Sequence, residues 1–394
     1  MLAILLLSSC GSKDKIFAPG YETARRSDIY SNLNLNGMLY FEDCPEAKME
    51  SKRLRFFDFD TMQSAVICSK PNCKHLDPEE CSAFGMRELP NIFLGKLYFF
   101  FYEPEWSYDD TGLAQHLMWN LELWNAELDG TGRKKVDTFK GREILSLVVK
   151  GNTIYFTARE RIEAQVGNTH ETVGTPKAHL CAYDFENGVF KDFGIVSDGY
   201  EAFAEICGEY NGGLYIYGSY REEEFEIFNP DGSMKSLEEM AKDKDYITVR
   251  YRFDLETGEL SDWDMPISTI SEEDRIKPML ISGGFYGYMD GGDAHIFDSE
   301  GSEMVLEGYE LSAFSVDTVV NGYYFNVNGY GGKSEYTAVD LRTGKILKIN
   351  KKAVPKWHYV LTCHDGSYII YNELGNGRFT KVSAEELFLR EEDE

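Results

Sequence analysis

Three cysteines and one histidine lie close together in one short segment of the chain, and their side chains could bind a metal ion. They are Cys68, Cys73, His75 and Cys81. Thiolates and a neutral imidazole nitrogen suit a tetrahedral zinc site. Cys44, further upstream, could supply another sulfur ligand. These residues are therefore candidates for a structural zinc site, although their spacing differs from the paired C-x2-C spacing of zinc knuckles.

The same residues admit two other interpretations. In an exported protein such cysteines can form disulfides, and the four cysteines allow three connectivities that the sequence does not rank. In a reducing habitat they would stay free thiols. Under each interpretation the segment holds a loop in place and does not catalyse a reaction. We expect no cofactor other than zinc at Cys68, Cys73, His75 and Cys81.

Aromatic residues in the predicted loops are the second candidate set. Aromatic side chains flanked by acids and amides could stack against sugar rings, or they could pack loop insertions onto the rim of the fold. The motifs G-x-S-x-G and H-E-x-x-H do not occur in the sequence, and we assign no catalytic residue. The ligand-contact candidates are Trp106, Tyr108, Trp119, Trp357 and Tyr359.

The elements that must position these residues are indicated by a repeated phrase, a glycine followed within a few residues by a tyrosine in an apolar run. A second phrase follows most copies and ends in a turn such as Asp-Gly or Thr-Gly, which supplies the positive φ that tight hairpins need. Each unit therefore contains two hairpin turns and four strands. The phrase occurs seven times, with its tyrosines at Tyr40, Tyr98, Tyr155, Tyr215, Tyr286, Tyr324 and Tyr368.

Seven such units predict an all-β fold, a seven-bladed β-propeller of four-stranded antiparallel blades in a single domain over residues 28–388. The seventh unit offers residues 378–382 as its third strand, and we expect the segment before Ile29 to lend the fourth. Strands alternate in direction, so the long connections, including the cysteine segment, should emerge on one face, the long-loop face. The tight turns should form the opposite, tight-turn face. We expect any functional site among the loops inserted on the long-loop face, near residues 42–53, 103–119, 159–178 and 221–246.

The ends of the chain indicate an exported, anchored protein. Residues 1–10 form an apolar signal peptide that ends in small residues and Cys10, and this run is too short to span a bilayer as a helix. Residues 11–27 would then be a tether, and residues 389–394 an acidic tail. The formal net charge of −27 argues against a nucleic-acid partner and against an anionic membrane surface, because both need a basic patch.

Three of these features carry a resemblance to known families. The L-S-S-C-G run at residues 7–11 resembles the lipobox of bacterial lipoproteins, which implies that Cys10 is lipidated. With its C-x4-C-x-H-x5-C-x-A-aromatic motif after the first unit, the chain resembles cell-surface lipoproteins of Clostridia-type bacteria that have a predicted β-propeller. The phrase at residues 338–345 is similar to the repeats of TolB and quinoprotein propellers. The resemblance implies a propeller and a lipid-anchored, extracytoplasmic location at the cell membrane, but no particular reaction.

We therefore expect a monomeric, non-catalytic module that binds a surface protein or a glycan on the long-loop face and touches the membrane only through its lipid anchor. The alternative is an extracellular carbohydrate-active enzyme, a lyase or hydrolase, that works from the same face. That enzyme would need convergent acids, histidines or arginines in a pocket at the mouth of the propeller axis.

Overall fold

The computed structural model describes most of the chain after residue 28. β-Strands form almost all of the regular structure in the described part, and the one helix there is a single turn near the C-terminus. The all-β class is thus confirmed. The described ranges are 29–32, 37–47, 51–86, 88–108, 114–160, 162–166, 169–172, 176–223, 246–267, 279–309, 311, 319–326, 337–354, 358–372 and 378–389.

Blades 1, 2 and 3 each have four antiparallel strands that pair in chain order, as the repeat predicts. A further hairpin, inserted after the second strand of blade 3, joins the sheet of blade 2. Blade 1 contains β1 (Ile29–Asn32), β2 (Gly37–Cys44), β3 (Ser51–Asp58) and β4 (Gln63–Val66), and blade 2 contains β5 (Glu88–Phe93), β6 (Lys96–Tyr108), β7 (Ala114–Ala126) and β8 (Lys134–Phe139). Blade 3 contains β9 (Arg142–Lys150), β10 (Thr153–Glu160), β13 (Lys177–Asp184) and β14 (Val189–Asp198), and the inserted hairpin contains β11 (Ile162–Val166) and β12 (Thr169–Thr172).

Blades 4, 5 and 6 repeat the four-stranded pattern, and blade 7 has three strands among the described residues. Blade 4 contains β15 (Tyr200–Tyr210), β16 (Gly213–Arg221), β17 (Ile247–Asp254) and β18 (Leu260–Asp262). Blade 5 contains β19 (Met279–Ser282), β20 (Phe285–Asp290), β21 (Asp293–Phe297) and β22 (Glu303–Leu306). Blade 6 contains β23 (Val319–Val320), β24 (Tyr323–Asn326), β25 (Thr337–Asp340) and β26 (Lys345–Lys348), and blade 7 contains β27 (His358–His364), β28 (Ser367–Asn372) and β29 (Arg378–Ser383).

The predicted third strand of blade 7 is confirmed as β29, and the helix α1 (Ala384–Leu387) follows it. Ser383 caps this helix, because its side chain accepts from the Glu386 N–H while the Glu386 carboxylate accepts from the Ser383 N–H. The expected fourth strand from the segment before Ile29 lies outside the described residues, and β1 itself pairs with β2 in blade 1.

Apolar side chains fill the junctions between consecutive blades. One cluster spans blades 1, 2 and 3, and four others fill the junctions from blade 3 to blade 7. The final junction returns to the start of the ring, where Met38 and Phe57 of blade 1 pack against Ile369 of blade 7. These contacts close the seven sheets into a ring, which confirms the seven-bladed β-propeller. Six of the seven repeat tyrosines are buried, and Tyr155 is half-buried.

The glycine phrases form the tight turns between the first and second strands of the blades, as predicted. At Asn211–Gly212 the two residues have φ values of 47° and 71°, and at Asn321–Gly322 they have φ values of 52° and 78°. Two consecutive positive φ angles are the signature of the type I′ turn, which asparagine and glycine tolerate best.

Two of the predicted loops are strands instead. β6 and β7 continue through most of the insertion at 103–119, and the insertion at 159–178 contains β11 and β12. Pro104 favoured the prediction of a loop at the end of β6, because proline lacks the N–H that a central strand needs. Above Phe100, however, β6 no longer pairs with β5, so proline occupies a sheet edge, where it is tolerated. We call residues 103–108 and 114–120, with β11 and β12, the raised sheet.

Candidate functional site

The cysteine segment starts at the end of β4 and runs along the outer rim between blades 1 and 2. Its later part pairs with blade 1, where the Leu54 N–H donates to the Ala83 carbonyl at 2.9 Å. It also contacts blade 2, where the Ser82 hydroxyl donates to the Asp129 carbonyl at 2.6 Å. Asp129 belongs to the turn between β7 and β8, on the tight-turn face. The segment therefore spans the rim and does not stay on the long-loop face.

The structure brings four of the five predicted ligand residues together. One ligand atom each from Cys68, Cys73, His75 and Cys81 lies within 4.8 Å of the other three. Within this set, His75 Nδ1 lies 3.3 Å from Cys81 Sγ. Cys44 is buried beside this set and not in it, because its thiol faces the His75 carbonyl oxygen at 3.8 Å. We call the four residues the Cys3His cluster.

The two thiols Cys68 and Cys81 have opposite pKa shifts. Burial raises the pKa of Cys68, but hydrogen bonds from Ser82 and Lys70 outweigh burial, and the net shift is downward. Burial and the neighbouring Cys68 raise the pKa of Cys81 to about 12. Cys68 is therefore the thiol that ionises more readily, and its negative charge opposes the ionisation of Cys81. A cation at the centre of the cluster would relieve that repulsion.

The imidazole of the cluster is neutral near pH 7. Burial lowers the pKa of His75, and the positive charges of Arg53 and Arg55 lower it further. A neutral imidazole can use a ring nitrogen as a metal ligand. The backbone at His75 has a φ of 55°, which is uncommon for a residue with a Cβ. Arg53 fixes this turn by donating to the His75 carbonyl at 3.3 Å, while Glu42 accepts from the same guanidinium at 2.5 Å.

A small apolar core and one arginine support the segment. Cys44, Cys81 and Phe84 pack together beneath the cluster. The Arg133 guanidinium donates to the carbonyls of Ser82 and Phe84, the latter at 2.6 Å. Arg133 follows the β7–β8 turn of blade 2, so its two hydrogen bonds fasten the segment to that blade.

The aromatic candidates are divided between two blades. Trp106 lies on β6 with 38% of its surface exposed, and Trp119 is half-buried on β7. Trp119 pairs directly with Pro104, two residues from Trp106, so both indoles are on one face of the raised sheet. The backbone of Tyr108 pairs with Ala114 at the end of β6. The two remaining candidates are Tyr359, whose backbone pairs with Tyr371 in blade 7, and Trp357, which lies outside the described residues.

One cluster of titratable side chains was missed by sequence reasoning. His364 Nε2 lies 2.7 Å from Asp60 Oδ1 and 3.5 Å from Asp365 Oδ2. These residues occupy tight turns of blades 1 and 7, and 304 positions separate Asp60 from His364. Only closure of the ring brings them together, so no local pattern could have revealed them. Within the described ranges, this group and the Cys3His cluster are the two sets of three or more such residues arranged as metal ligands could be.

Among proteins of known structure, this chain is similar to several that contain a β-propeller. Neither a protein-family model nor a curated protein matches the chain. The β-propeller domain of the trilobed protease from Pyrococcus furiosus is 12% identical, with a TM-score of 0.49 over 94% of this chain and 95% of that one. TolB from Acinetobacter baumannii is 11% identical, with a TM-score of 0.30 over 90% of this chain and 65% of that one. An acylaminoacyl peptidase is 11% identical, with a TM-score of 0.41 over 93% of this chain and 51% of that one.

The likeness at such low identity concerns the fold alone. This chain spans less than two thirds of the lengths of the TolB and peptidase structures. Across the described part of the chain, no helix is both long and apolar enough to cross a membrane. The lipobox with Cys10 lies outside the described residues.

Proposed function

We propose that this chain is a non-catalytic binding module of a bacterial cell surface, anchored by a lipid on Cys10, that binds a partner protein at its raised sheet. The observation that carries the proposal is the raised sheet on the long-loop face. It is built from insertions of two different blades, which cooperate to form a single surface outside the junction cores.

The strands of the raised sheet extend well beyond the blade that supports them. β6 and β7 are each 13 residues long, whereas β2 of blade 1 is 8 residues long. β11 then pairs with β7 through Ile162 opposite Met118 and Ala164 opposite His116. Ordering two insertions costs conformational entropy, and neither insertion is needed to complete a four-stranded blade. A binding role accounts for this surface.

The chemistry of the raised sheet suits a partner protein. Glu103, Glu105 and Trp106 are exposed on β6, so one face of the sheet presents an aromatic side chain and the opposite face presents carboxylates. Among the described strands β12 pairs only with β11, and its free edge can accept a strand from a partner through backbone hydrogen bonds. With the net charge of −27, these features favour a partner that has a basic, extended segment.

Site-specific photo-crosslinking tests where the partner binds. A photoreactive amino acid would replace Trp106 in one version of the full chain and Val189 in another. Val189 is the matched control, because it is 52% exposed beside the tight turn at 185–188 of blade 3, on the opposite face. In intact cells we expect crosslinked adducts from position 106 and not from position 189. Equal adducts from both positions, or adducts from position 189 alone, would contradict the proposal.

Metabolic labelling tests the anchor. Cells fed a radiolabelled fatty acid should incorporate label into the wild-type chain and not into a Cys10→Ser variant, which should also be released from the membrane fraction. Label retained by Cys10→Ser would refute anchoring at this residue. The carbohydrate-active enzyme remains the alternative prediction. The two sets of potential metal ligands found among the described residues lie on the rim and on the tight-turn face.

A further inference from the structure

We propose that Cys68, Cys73, His75 and Cys81 bind one structural zinc ion that fastens blade 1 to blade 2. This proposal is independent of the binding role of the raised sheet. It assigns to the rim of the propeller a metal site with four protein ligands.

The distances within the Cys3His cluster suit a zinc ion. With Zn–S bonds of about 2.3 Å in a tetrahedron, two sulfur ligands lie about 3.8 Å apart, and sulfur and nitrogen lie slightly closer. The four ligand atoms are within 4.8 Å of one another, and His75 Nδ1 is 3.3 Å from Cys81 Sγ. The separations therefore need to change by at most about 1 Å to reach those of a tetrahedral site.

Backbone N–H groups donate to two sulfurs of the cluster. The Lys70 N–H donates to the Cys68 sulfur, and the Ala83 N–H donates to the Cys81 sulfur. Each donor is two residues beyond its cysteine, so the same local turn recurs at both ligands. Hydrogen bonds to coordinated sulfur fix the ligand's orientation and spread its charge. Arg53 and Cys44 hold the His75 carbonyl, which fixes the backbone that presents the imidazole.

The composition of the cluster selects the class of metal. Three sulfurs and one nitrogen are soft or borderline ligands, which exclude calcium and magnesium and favour zinc. Four protein ligands fill a tetrahedron and leave no position for water, as in sites that stabilise a fold and not in those that catalyse. A single disulfide within the cluster would use only two of its three sulfurs and would leave one thiol beside the imidazole.

The position of the cluster explains what the zinc ion would do. The segment is hydrogen-bonded to blade 1 at Leu54 and to blade 2 through Ser82 and Arg133. It contains neither a helix nor a strand between Cys68 and Met86, so its own backbone cannot keep it rigid. A zinc ion with ligands at both ends of this loop would make it a rigid bridge between the blades.

Metal analysis and native mass spectrometry of the full chain, purified under reducing conditions and supplied with one equivalent of zinc, test the proposal. We expect one zinc per chain in the wild type and none in Cys73→Ala. Cys363→Ala is the matched control, because Cys363 is also half-buried but lies on β27, outside the cluster. It should retain one zinc per chain.

Cobalt replacement gives a second readout that needs no variant. In the wild-type chain Co²⁺ should show intense thiolate-to-cobalt charge transfer and the strong visible bands of a tetrahedral site, and one equivalent of zinc should abolish both. The proposal is overturned by a reduced, folded chain that binds no zinc or by octahedral cobalt bands. It is equally overturned by zinc that stays bound in Cys73→Ala, or by cluster cysteines joined as disulfides in the chain isolated without reductant.

Discussion

Blade 1 has two neighbours, and it is joined to them by different means. Blade 2 follows it in the chain, and their junction carries the Cys3His cluster and the hydrogen bonds of Arg133. Blade 7 comes from the opposite end of the chain, and its junction with blade 1 is mainly aromatic. There Phe57 stacks on Phe379 with ring centroids 3.9 Å apart and planes at 14°.

The difference follows from what each junction must overcome. Blades 1 and 2 are consecutive in the chain, so polar contacts and the proposed metal ion would suffice to fix the path of the segment between them. Blades 1 and 7 must find each other across most of the chain, and closing so long a loop costs entropy that burial of apolar surface has to offset. We therefore expect the closing junction to depend on aromatic packing, and the blade 1–2 junction to depend on polar contacts in addition to the apolar cluster that spans blades 1, 2 and 3.

Truncating the aromatic stack should have the largest effect. Phe57 is buried, and Phe57→Ala should lower the free energy of unfolding by about 3–5 kcal/mol, the usual cost of emptying a phenylalanine site. Urea titration of the full chain measures the loss. Phe57→Leu, which keeps most of the buried volume, should recover more than half of it. An alanine variant within 1 kcal/mol of wild type would show that aromatic packing does not hold the ring closed.

Removing Arg133 should weaken the blade 1–2 junction by an intermediate amount. Arg133→Gln cannot satisfy both carbonyls that the guanidinium reaches, and hydrogen bonds to charged groups contribute about 1.5–3 kcal/mol. Lys135→Gln is the control, because Lys135 pairs with Glu122 at 2.7 Å but is half exposed and should matter by less than 1 kcal/mol. Unfolding by urea would give both values. Equal losses would mean that Arg133 acts only as a surface charge.

The parts of the molecule that are local in sequence were the predictable ones. The repeat tyrosines mark the blades because each lies a fixed step after a turn glycine, and Cys68 and Cys81 belong to one segment whose residue types suggest a metal. The raised sheet was not predicted, because Pro104 and its polar neighbours are typical of a loop. The strand that pairs with this part of blade 2 comes from another blade, which the local sequence does not indicate. The contact of His364 with Asp60 depends on ring closure, which no local pattern encodes.

The ionisation of Glu42 should make the stability of the blade 1 side of the blade 1–2 junction depend on pH. Burial raises the pKa of Glu42, but hydrogen bonds from Arg55 and Arg53 outweigh burial and the net shift is downward. A carboxyl whose pKa is lower in the folded state stabilises the fold above its unfolded pKa of about 4.3 and loses that contribution as the pH falls through the folded value. Glu42→Gln should therefore cost about 1 kcal/mol at pH 7, since the carboxylate is only partly exposed.

Thermal unfolding of wild type and Glu42→Gln across pH 3 to 7 checks this sign. The stability gap should be widest near neutrality and should close in acid, because wild type then also carries a neutral group at this position. Glu127→Gln is the control, since Glu127 pairs with Lys96 at 3.2 Å and both are exposed. A gap that widened in acid would contradict the direction of the Glu42 pKa shift.

The pair of Asp60 with His364 should have the smallest effect, and it separates two explanations of ring closure. Asp60 is about half exposed, so its contact gains little in water, and Asp60→Asn should change the free energy of unfolding by at most about 0.5 kcal/mol. Asparagine can still accept a hydrogen bond from the imidazole, so the variant removes the charge alone. If urea titration instead shows a loss as large as that of Phe57→Ala, the ring is closed by electrostatic contact between the turns. If Asp60→Asn lowers the free energy of unfolding only slightly while Phe57→Ala lowers it by several kcal/mol, the aromatic stack closes the ring. The Asp60–His364 pair is then a surface contact that contributes little to closure.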